Sequence, residues 1–499
     1  MADAQPQTAK LSRRMSAQDA AFIYGESRSG PLHIGSINIF EGRIDYDELI
    51  AHMDARMHLL PRYRQRLAFV PLNLAHATLE DDPDFELRNH LREVSLPDEV
   101  DERALLAAAM REFAPILNRE RPLWEMILFH GLEGNRSAVL WKVHHCLVDG
   151  VSGMELLSIA LDLKPDAPDP EPPESPFQPS PMPSPLRRLA DATIDLIQGR
   201  LDEGRRLSGL LEAPLVAAGH AATVANIAGR MMQMMARPIV AAPWNTSLVT
   251  ADREVAYLKA PFADLRAIRN ALGGTVNDVV LAILSEAAAR YLRHHKFAGT
   301  LHPLRIGCPV NVRREGEGAA LGNRVSMMFP ELPSMPLGAE ERILAVMRET
   351  ARIKAADEPQ SLDLLMSSTE AIPPMLTGLV ASLATSALDA AVHFSGMAPR
   401  LSRMVQIPAP GINFIATNVP GAQVPLYLAG RRMIEMVGLV PLGATLGYNV
   451  AIVSYNQNLI FGMMAAPCLM PDVERMRDYA GEVFGELVAA AREKSRAAA

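Results

Sequence analysis

The chain has 499 residues, a net charge of -8, 49% hydrophobic and 21% charged residues. At roughly 150 residues per unit that length suggests two or three structural units with a large core, which excludes a mostly disordered chain. The acidic balance excludes a nucleic-acid binder working through a broad basic surface. Three dispersed cysteines, Cys146, Cys308 and Cys468, exclude a disulfide framework or a CxxC metal knuckle and point to a reducing compartment.

Residues 1–15, MADAQPQTAKLSRRM, have no apolar run behind the basic cluster, so no secretory signal is expected. In the first half, 45–67 (DYDELIAHMDARMHLLPRYRQRL) and 101–117 (DERALLAAAMREFAPIL) have helical spacing. The run 137–143, SAVLWKV, has the β-branched and aromatic character of a strand. It is followed by the loop His144-His145-Cys146-Leu147-Val148-Asp149-Gly150 and by VSGMELLSIALDL, which reads as a helix.

Ten prolines lie between Pro165 and Pro185. Proline lacks a backbone donor and fixes φ, so this tract is expected to be an extended, semi-rigid linker. A helical region from about Leu186 to Arg237 follows, ending in Met231, Met232, Met234 and Met235. The boundaries are therefore set at 1–163, 164–250 and 251–499: two α/β halves joined by a linker and a helical crossover.

The second half opens with REVAYLKA as a strand and PFADLRAIRNAL as a helix beginning at a proline. Thr275 and Asp278 then stand in capping-box spacing ahead of VVLAILSEAAARYLRHH. Met375 to Leu388, rich in small residues, reads as a core or tunnel-lining helix. No charged residue lies between Glu435 and Asp472, longer than a membrane span needs. Pro441, Gly443, Gly447 and the turn Asn456-Gln457-Asn458 interrupt it, so NVAIVSY and LIFGMMA read as a buried hairpin.

The loop at 144–150 carries the chemistry. A strand-to-helix loop can present a side chain to a cleft, and imidazole titrates near neutrality, which suits taking a proton from an alcohol and returning it. Asp149 can fix the loop or an imidazole, and Gly150 lets the backbone turn tightly. Plainer readings compete. The pair could be ordinary loop residues, as His294-His295 at a helix end are. A metal site would need further ligands, and no HExxH or Cys/His knuckle is present. Cys146 beside a base could be a nucleophile, but its apolar neighbours favour a small buried residue. No GxSxG elbow or Walker A loop occurs, which speaks against an esterase or a nucleotide-dependent enzyme.

HHCLVDG resembles the HHxxxDG motif of the CoA-dependent acyltransferase superfamily. The wider chain resembles the bacterial wax ester synthase/diacylglycerol acyltransferase family over roughly 11–163 and 250–490. The carrying segments are LSRRMSAQDAAFIYGESRSGPLHIGS with Ser16 and Asp19, RPLWE around Trp124, VNDVV around Asn277 and Asp278, PVNVR ending at Arg313, LGNR, and TNVPG. The resemblance implies an α/β (α+β) fold of two chloramphenicol-acetyltransferase-like subdomains, with mixed sheets flanked by helices and an interfacial tunnel. It implies His145 as general base, His144 orienting the loop or touching substrate, and Asp149 paired structurally with Arg313. The implied reaction moves a long-chain acyl group from acyl-CoA, a co-substrate, to diacylglycerol or a fatty alcohol, with no cofactor, metal or acyl-enzyme. Asn277 could shape the active site or simply belong to the helix cap; Trp124 could line the acyl channel or simply pack.

The expected location is cytoplasmic, soluble or peripheral at the inner membrane surface or on lipid droplets. The Met-rich crossover with Arg187-Arg188 and Arg205-Arg206 reads either as a lipid-touching surface helix or as a helix packed between the halves. Two other functions fit the same fold: transfer from a carrier-bound donor or to another acceptor, and an inactive lipid-droplet-binding relative. Acceptor preference, chain length and oligomeric state are left open by one sequence.

Overall fold

The computed structural model describes residues 14–147, 156–194, 236–297 apart from 247 and 249, 302–311, 325–356 and 411–498 apart from 444, with isolated positions at 226, 229, 233 and 234. Asp149, Gly150, Arg313, the stretch 375–388, and most of the crossover (Met231, Met232 and Met235 included) lie outside the described residues.

The first half opens with helix α1 (Ala17–Gly25), capped by Ser16, whose hydroxyl accepts the Asp19 N–H. Strand β1 (His33–Phe40) follows, then α2 (Tyr46–Asp54), the short pair β2 (Gln65–Ala68) and β3 (Thr78–Asp81), and β4 (Leu91–Val100). Helix α3 (Glu102–Phe113) leads into β5 (Trp124–Leu132) and β6 (Arg136–His144). The spacing at 45–67 overreaches. Only 46–54 is α-helical, followed by two 3-10 turns and β2. Arg56 is buried and binds the His52 carbonyl, Asp162 and Asp169, and Pro61 has no N–H with which to continue the helix.

The second half comprises β7 (Glu254–Pro261), α4 (Phe262–Leu272), α5 (Val276–His294), β8 (Leu304–Asn311), β9 (Val325–Met328), β10 (Glu331–Leu332) and α6 (Ala339–Ala355). It ends with β11 (Phe414–Val419), β12 (Tyr427–Leu428), β13 (Arg431–Leu439), β14 (Tyr448–Tyr455), β15 (Asn458–Ala465) and α7 (Val473–Ala498). The capping box at Thr275 and Asp278 is present, and the hairpin β14–β15 turns through Asn456 and Gln457, both at positive φ.

The sheets are mixed and the fold is α/β. The first runs β12-β13-β1-β6-β5-β4, antiparallel except for β4 with β5. The second runs β10-β8-β11-β14-β15-β7, with β9 beside β8 and with β11 parallel to both β8 and β14. Strands β12 and β13 come from the second half yet complete the first sheet, so the halves share hydrogen bonds as well as a packing surface. One core surrounds β1, β5 and β6; the other lies between the second sheet and α4, α5, α6 and α7.

Residues 165–184 contain neither helix nor strand, as the proline density predicts. They lie against the first half: Asp169 binds Arg56, the Ser180 N–H donates to Asp81, and Phe177 lies 3.8 Å under the Arg64 guanidinium. A helical turn begins after Ser184, and residues 185–194 are helical. Among the described residues no single helix is long and apolar enough to cross a membrane.

Candidate active site

Strand β6 brings the two histidines to the end of the first sheet. The His144 N–H donates to the Leu123 carbonyl on one side, and the His145 N–H donates to the Leu32 carbonyl on the other. The ladder thus extends through residue 145, and side chains alternate across it. His145 leaves on the face of Trp141 and Val143, whereas His144 shares a face with Lys142 and His33. The two imidazoles therefore meet different surroundings.

His145 is half-buried, and its ring lies flat on Phe22 of α1, with centroids 3.9 Å apart and planes within 8°. That contact fixes the plane of the imidazole while leaving part of it accessible. His144 is fully buried. Its Nδ1 accepts the Cys146 N–H at 3.1 Å. A backbone amide can only donate, so Nδ1 is unprotonated and the ring proton sits on Nε2. Nε2 faces Glu26 Oε1 at 3.4 Å, an ion-pair distance longer than a well-formed hydrogen bond. His144 is thereby engaged by the loop and by Glu26.

Glu26, just past the end of α1, is almost wholly buried. It accepts the Leu32 N–H at 3.0 Å and Arg119 Nη2 at 3.0 Å. Burial alone would raise its carboxyl pKa, but His144, the Leu32 N–H and Arg119 outweigh that and hold it at about 2. His33, paired with His144 across β1 and β6, donates from Nε2 to the Pro115 carbonyl at 3.0 Å. Burial, then the nearby Lys142 charge, lowers its pKa to about 3. Lys142 donates to the Glu112 and Pro115 carbonyls at the end of α3, and burial brings its pKa down to about 8. Glu26, His33, Arg119 and Phe22 were not singled out in the sequence; the only signal for Phe22, Glu26 and His33 is membership of the segment 11–36, and Arg119 has none.

The depressed His33 pKa has a measurable consequence. The folded state keeps this ring neutral down to about pH 3, whereas the unfolded ring takes a proton below about pH 6.5. The unfolded chain then binds more protons, so stability falls as pH drops through that window. From this group alone, about 2 kcal/mol is expected to be lost between pH 7 and pH 5. Denaturant titration at the two pH values measures it, and His33→Gln, which still donates to Pro115, is expected to flatten the slope by that amount.

The other residues singled out in the sequence fall into place or outside. Trp124 is buried, donates to the Tyr63 carbonyl at 2.8 Å and stacks on His90 at 4.7 Å. It also borders a small apolar cavity of about 20 Å³ with Met53, Met57, Trp141 and Val143. Packing accounts for its place. Asp278 is a buried cap: it accepts the Thr275 N–H and hydroxyl and the Thr350 hydroxyl, tying α5 to α6. Asn277 lies in the first turn of α5 and accepts from Asn418 of β11 at 2.8 Å, so it joins α5 to the second sheet rather than closing the cap. Cys146 is buried and its thiol pKa is pushed up, first by burial and then by Asp19 and Glu26, the opposite of an activated nucleophile. Among the described residues no group of three or more His, Cys, Asp or Glu side chains is arranged to hold a metal ion.

The second half reaches this site. A Cβ placed on Gly30 would lie 3.5 Å from the Gly443 backbone, and one on Gly443 would lie 3.5 Å from Leu32, whose carbonyl holds His145. Arg253 Nη2 donates to the Ser29 carbonyl at 2.7 Å. The second half thus packs against the segment 29–32, whose Leu32 carbonyl receives the His145 N–H.

Comparison with known proteins matches the chain to a family. The wax ester synthase/diacylglycerol acyltransferase catalytic domain matches residues 15–280, and the C-terminal domain of the same family matches 321–488. A Mycobacterium tuberculosis protein whose name assigns it, provisionally, to the diacylglycerol O-acyltransferases is 31% identical over 489 residues, 95% of this chain and 90% of its own. A second M. tuberculosis relative with a provisional name of the same kind, tgs1, is 26% identical, with 95% of this chain and 96% of its own covered. The solved wax ester synthase/diacylglycerol acyltransferase from Marinobacter aquaeolei VT8 superposes with a TM-score of 0.63 at 25% identity, covering 96% of this chain and 99% of that one. The first condensation domain of the calcium-dependent antibiotic synthetase shares the fold, with a TM-score of 0.53 at 15% identity.

Proposed function

The chain belongs to the wax ester synthase/diacylglycerol acyltransferase family and is an O-acyltransferase, and from that premise we propose that His145 is the general base that passes a long-chain acyl group from acyl-CoA to diacylglycerol or a fatty alcohol. The observation that carries this reading is the division of labour between the histidines. His144 has both ring nitrogens directed into the loop and Glu26, whereas His145 is half-exposed and held flat on Phe22.

The acceptor hydroxyl gives its proton to the His145 imidazole as its oxygen attacks the thioester carbonyl. The tetrahedral oxyanion collapses, the carbon–sulfur bond breaks, and the imidazolium returns the proton to the coenzyme A thiolate. Atoms and charge balance without an acyl-enzyme or a metal. A base of this kind contributes about 10²–10⁴-fold; the remaining acceleration comes from orienting two substrates at one site.

Purified protein with palmitoyl-CoA and either a dipalmitoylglycerol or hexadecanol tests reaction and acceptor together. Thiol release matched by triacylglycerol or wax ester is expected. No release with either acceptor, or release only when a carrier-bound acyl group replaces acyl-CoA, overturns the reading.

These acceptors partition into lipid, and the helix 185–194 presents Leu186 (79% exposed) and Ile194 (50% exposed) to the outside beside Arg187. We assign it contact with a lipid surface. In a flotation assay with triolein emulsions, Leu186→Ser/Ile194→Ser is expected to shift the protein from the floating to the aqueous fraction; unchanged flotation sinks that assignment.

A further inference from the structure

We propose that Glu26 is a positioning residue for acyl transfer, holding His144 in the Nε2–H form so that Nδ1 can anchor the Cys146 N–H and set the turn that presents His145. This rests on the reading of His145 as the base.

Four observations converge on it. Glu26 is buried beside two buried histidines, and both of its oxygens are engaged: Oε1 by the Leu32 N–H and the approach of His144, Oε2 by Arg119. Arg119 is itself fixed by the Ile23 carbonyl at 2.9 Å, so the carboxylate cannot swing away. The Leu32 residue whose N–H binds Glu26 is the residue whose carbonyl receives the His145 N–H. One carboxylate thus touches the supports of both motif histidines. Finally, His33 is held neutral by burial and by the nearby Lys142 charge, with its Nε2–H spent on the Pro115 carbonyl, so it does not compete with His144 as a cationic partner.

The physical argument concerns tautomers. Free imidazole exchanges its proton between the two nitrogens at little cost, and the Nδ1–H form of His144 would set two N–H groups against each other at Cys146. A buried anion beyond Nε2 favours the proton there, and a carboxylate held ionised by His144 itself, the Leu32 N–H and Arg119 does this throughout the working pH range. A shift of the turn by about 1 Å at the base is enough to cost about 10²-fold in rate.

The test is a double-mutant cycle on kcat in the full chain, with palmitoyl-CoA and dipalmitoylglycerol. Glu26→Gln keeps the shape and an acceptor for Leu32 but removes the charge; it is expected to lower kcat about tenfold to a hundredfold with KM within about twofold. His144→Asn places an amide oxygen where Nδ1 stood, an acceptor with no tautomer to choose. Whatever it costs alone, adding Glu26→Gln to it is expected to cost nothing further. An equal fold-loss from Glu26→Gln in both backgrounds, or no loss in the wild-type background, overturns the proposal. Should Glu26→Gln fail to fold, nitrogen-15 NMR of the histidine-labelled wild type decides: His144, identified by its disappearance in His144→Asn, must carry its proton on Nε2 alone. A proton on Nδ1 overturns the proposal. This readout is independent of catalysis, so it separates failure of the tautomer lock from failure of His145 as the base.

Discussion

His145→Ala is expected to lower kcat by about 10²–10⁴-fold while leaving the melting temperature close to that of the wild type. The two halves of that statement come from separate features. The ring is only half-buried, and stacking on the face of Phe22 is a modest packing contact to lose. The backbone bond to Leu32 needs no side chain. His144→Ala should behave in the opposite way. Its ring is buried, and truncation strands the Cys146 N–H without its acceptor, a cost of about 1–3 kcal/mol. Its melting temperature should fall while a measurable rate survives. Thiol release and a thermal melt on each variant separate the cases. A His145→Ala enzyme that turns over at more than a tenth of the wild-type rate would move the base elsewhere.

Local signals carried the elements well and the site only in part. Strand β6 declared itself by β-branched and aromatic residues, the capping box by Thr275 and Asp278, and the hairpin by an Asn-Gln turn between two apolar runs. The helix at 45–67 was overread because its apolar spacing persists beyond residue 54, whereas Arg56 spends its donors on Asp162 and Asp169, more than a hundred residues away. The motif histidines were legible because they are adjacent in the chain. Glu26 was not, since its meaning depends on a partner 118 positions later that only the β1–β6 pairing brings within reach. The same holds for the donation of β13 to the first sheet: nothing local in RRMIEMVGL says which sheet it will join. Trp124 had a plain reading and a functional one, and its bond to Tyr63 and stack on His90 favour the plain one.

The junction itself yields the other large effect. Gly462→Ala in β15 would place a methyl group 2.2 Å from the Gly438 carbonyl oxygen of β13, and a Cβ at Gly438 would in turn lie 2.8 Å from Val453 of β14. Here the second sheet meets, backbone against backbone, the strand that the second half lends to the first. The obstacle is a carbonyl inside a hydrogen-bonded ladder, so it cannot yield as a side chain would. Overpacking of this kind costs about 1–3 kcal/mol, and the upper end is expected. The damage should also reach the site. Gly438 pairs with Ser36 of β1, and β1 follows directly on Leu32, the residue that holds the His145 backbone. Gly462→Ala is therefore expected to lower the urea midpoint and also to reduce kcat at temperatures where the protein is still fully folded. Gly485→Ala is the matched control: it adds the same methyl group in α7, with nothing within 4 Å. There, the gain in helix propensity should stabilise by up to about 1 kcal/mol and leave kcat unchanged. Equal urea midpoints for the two variants would mean that the sheets do not meet at these glycines.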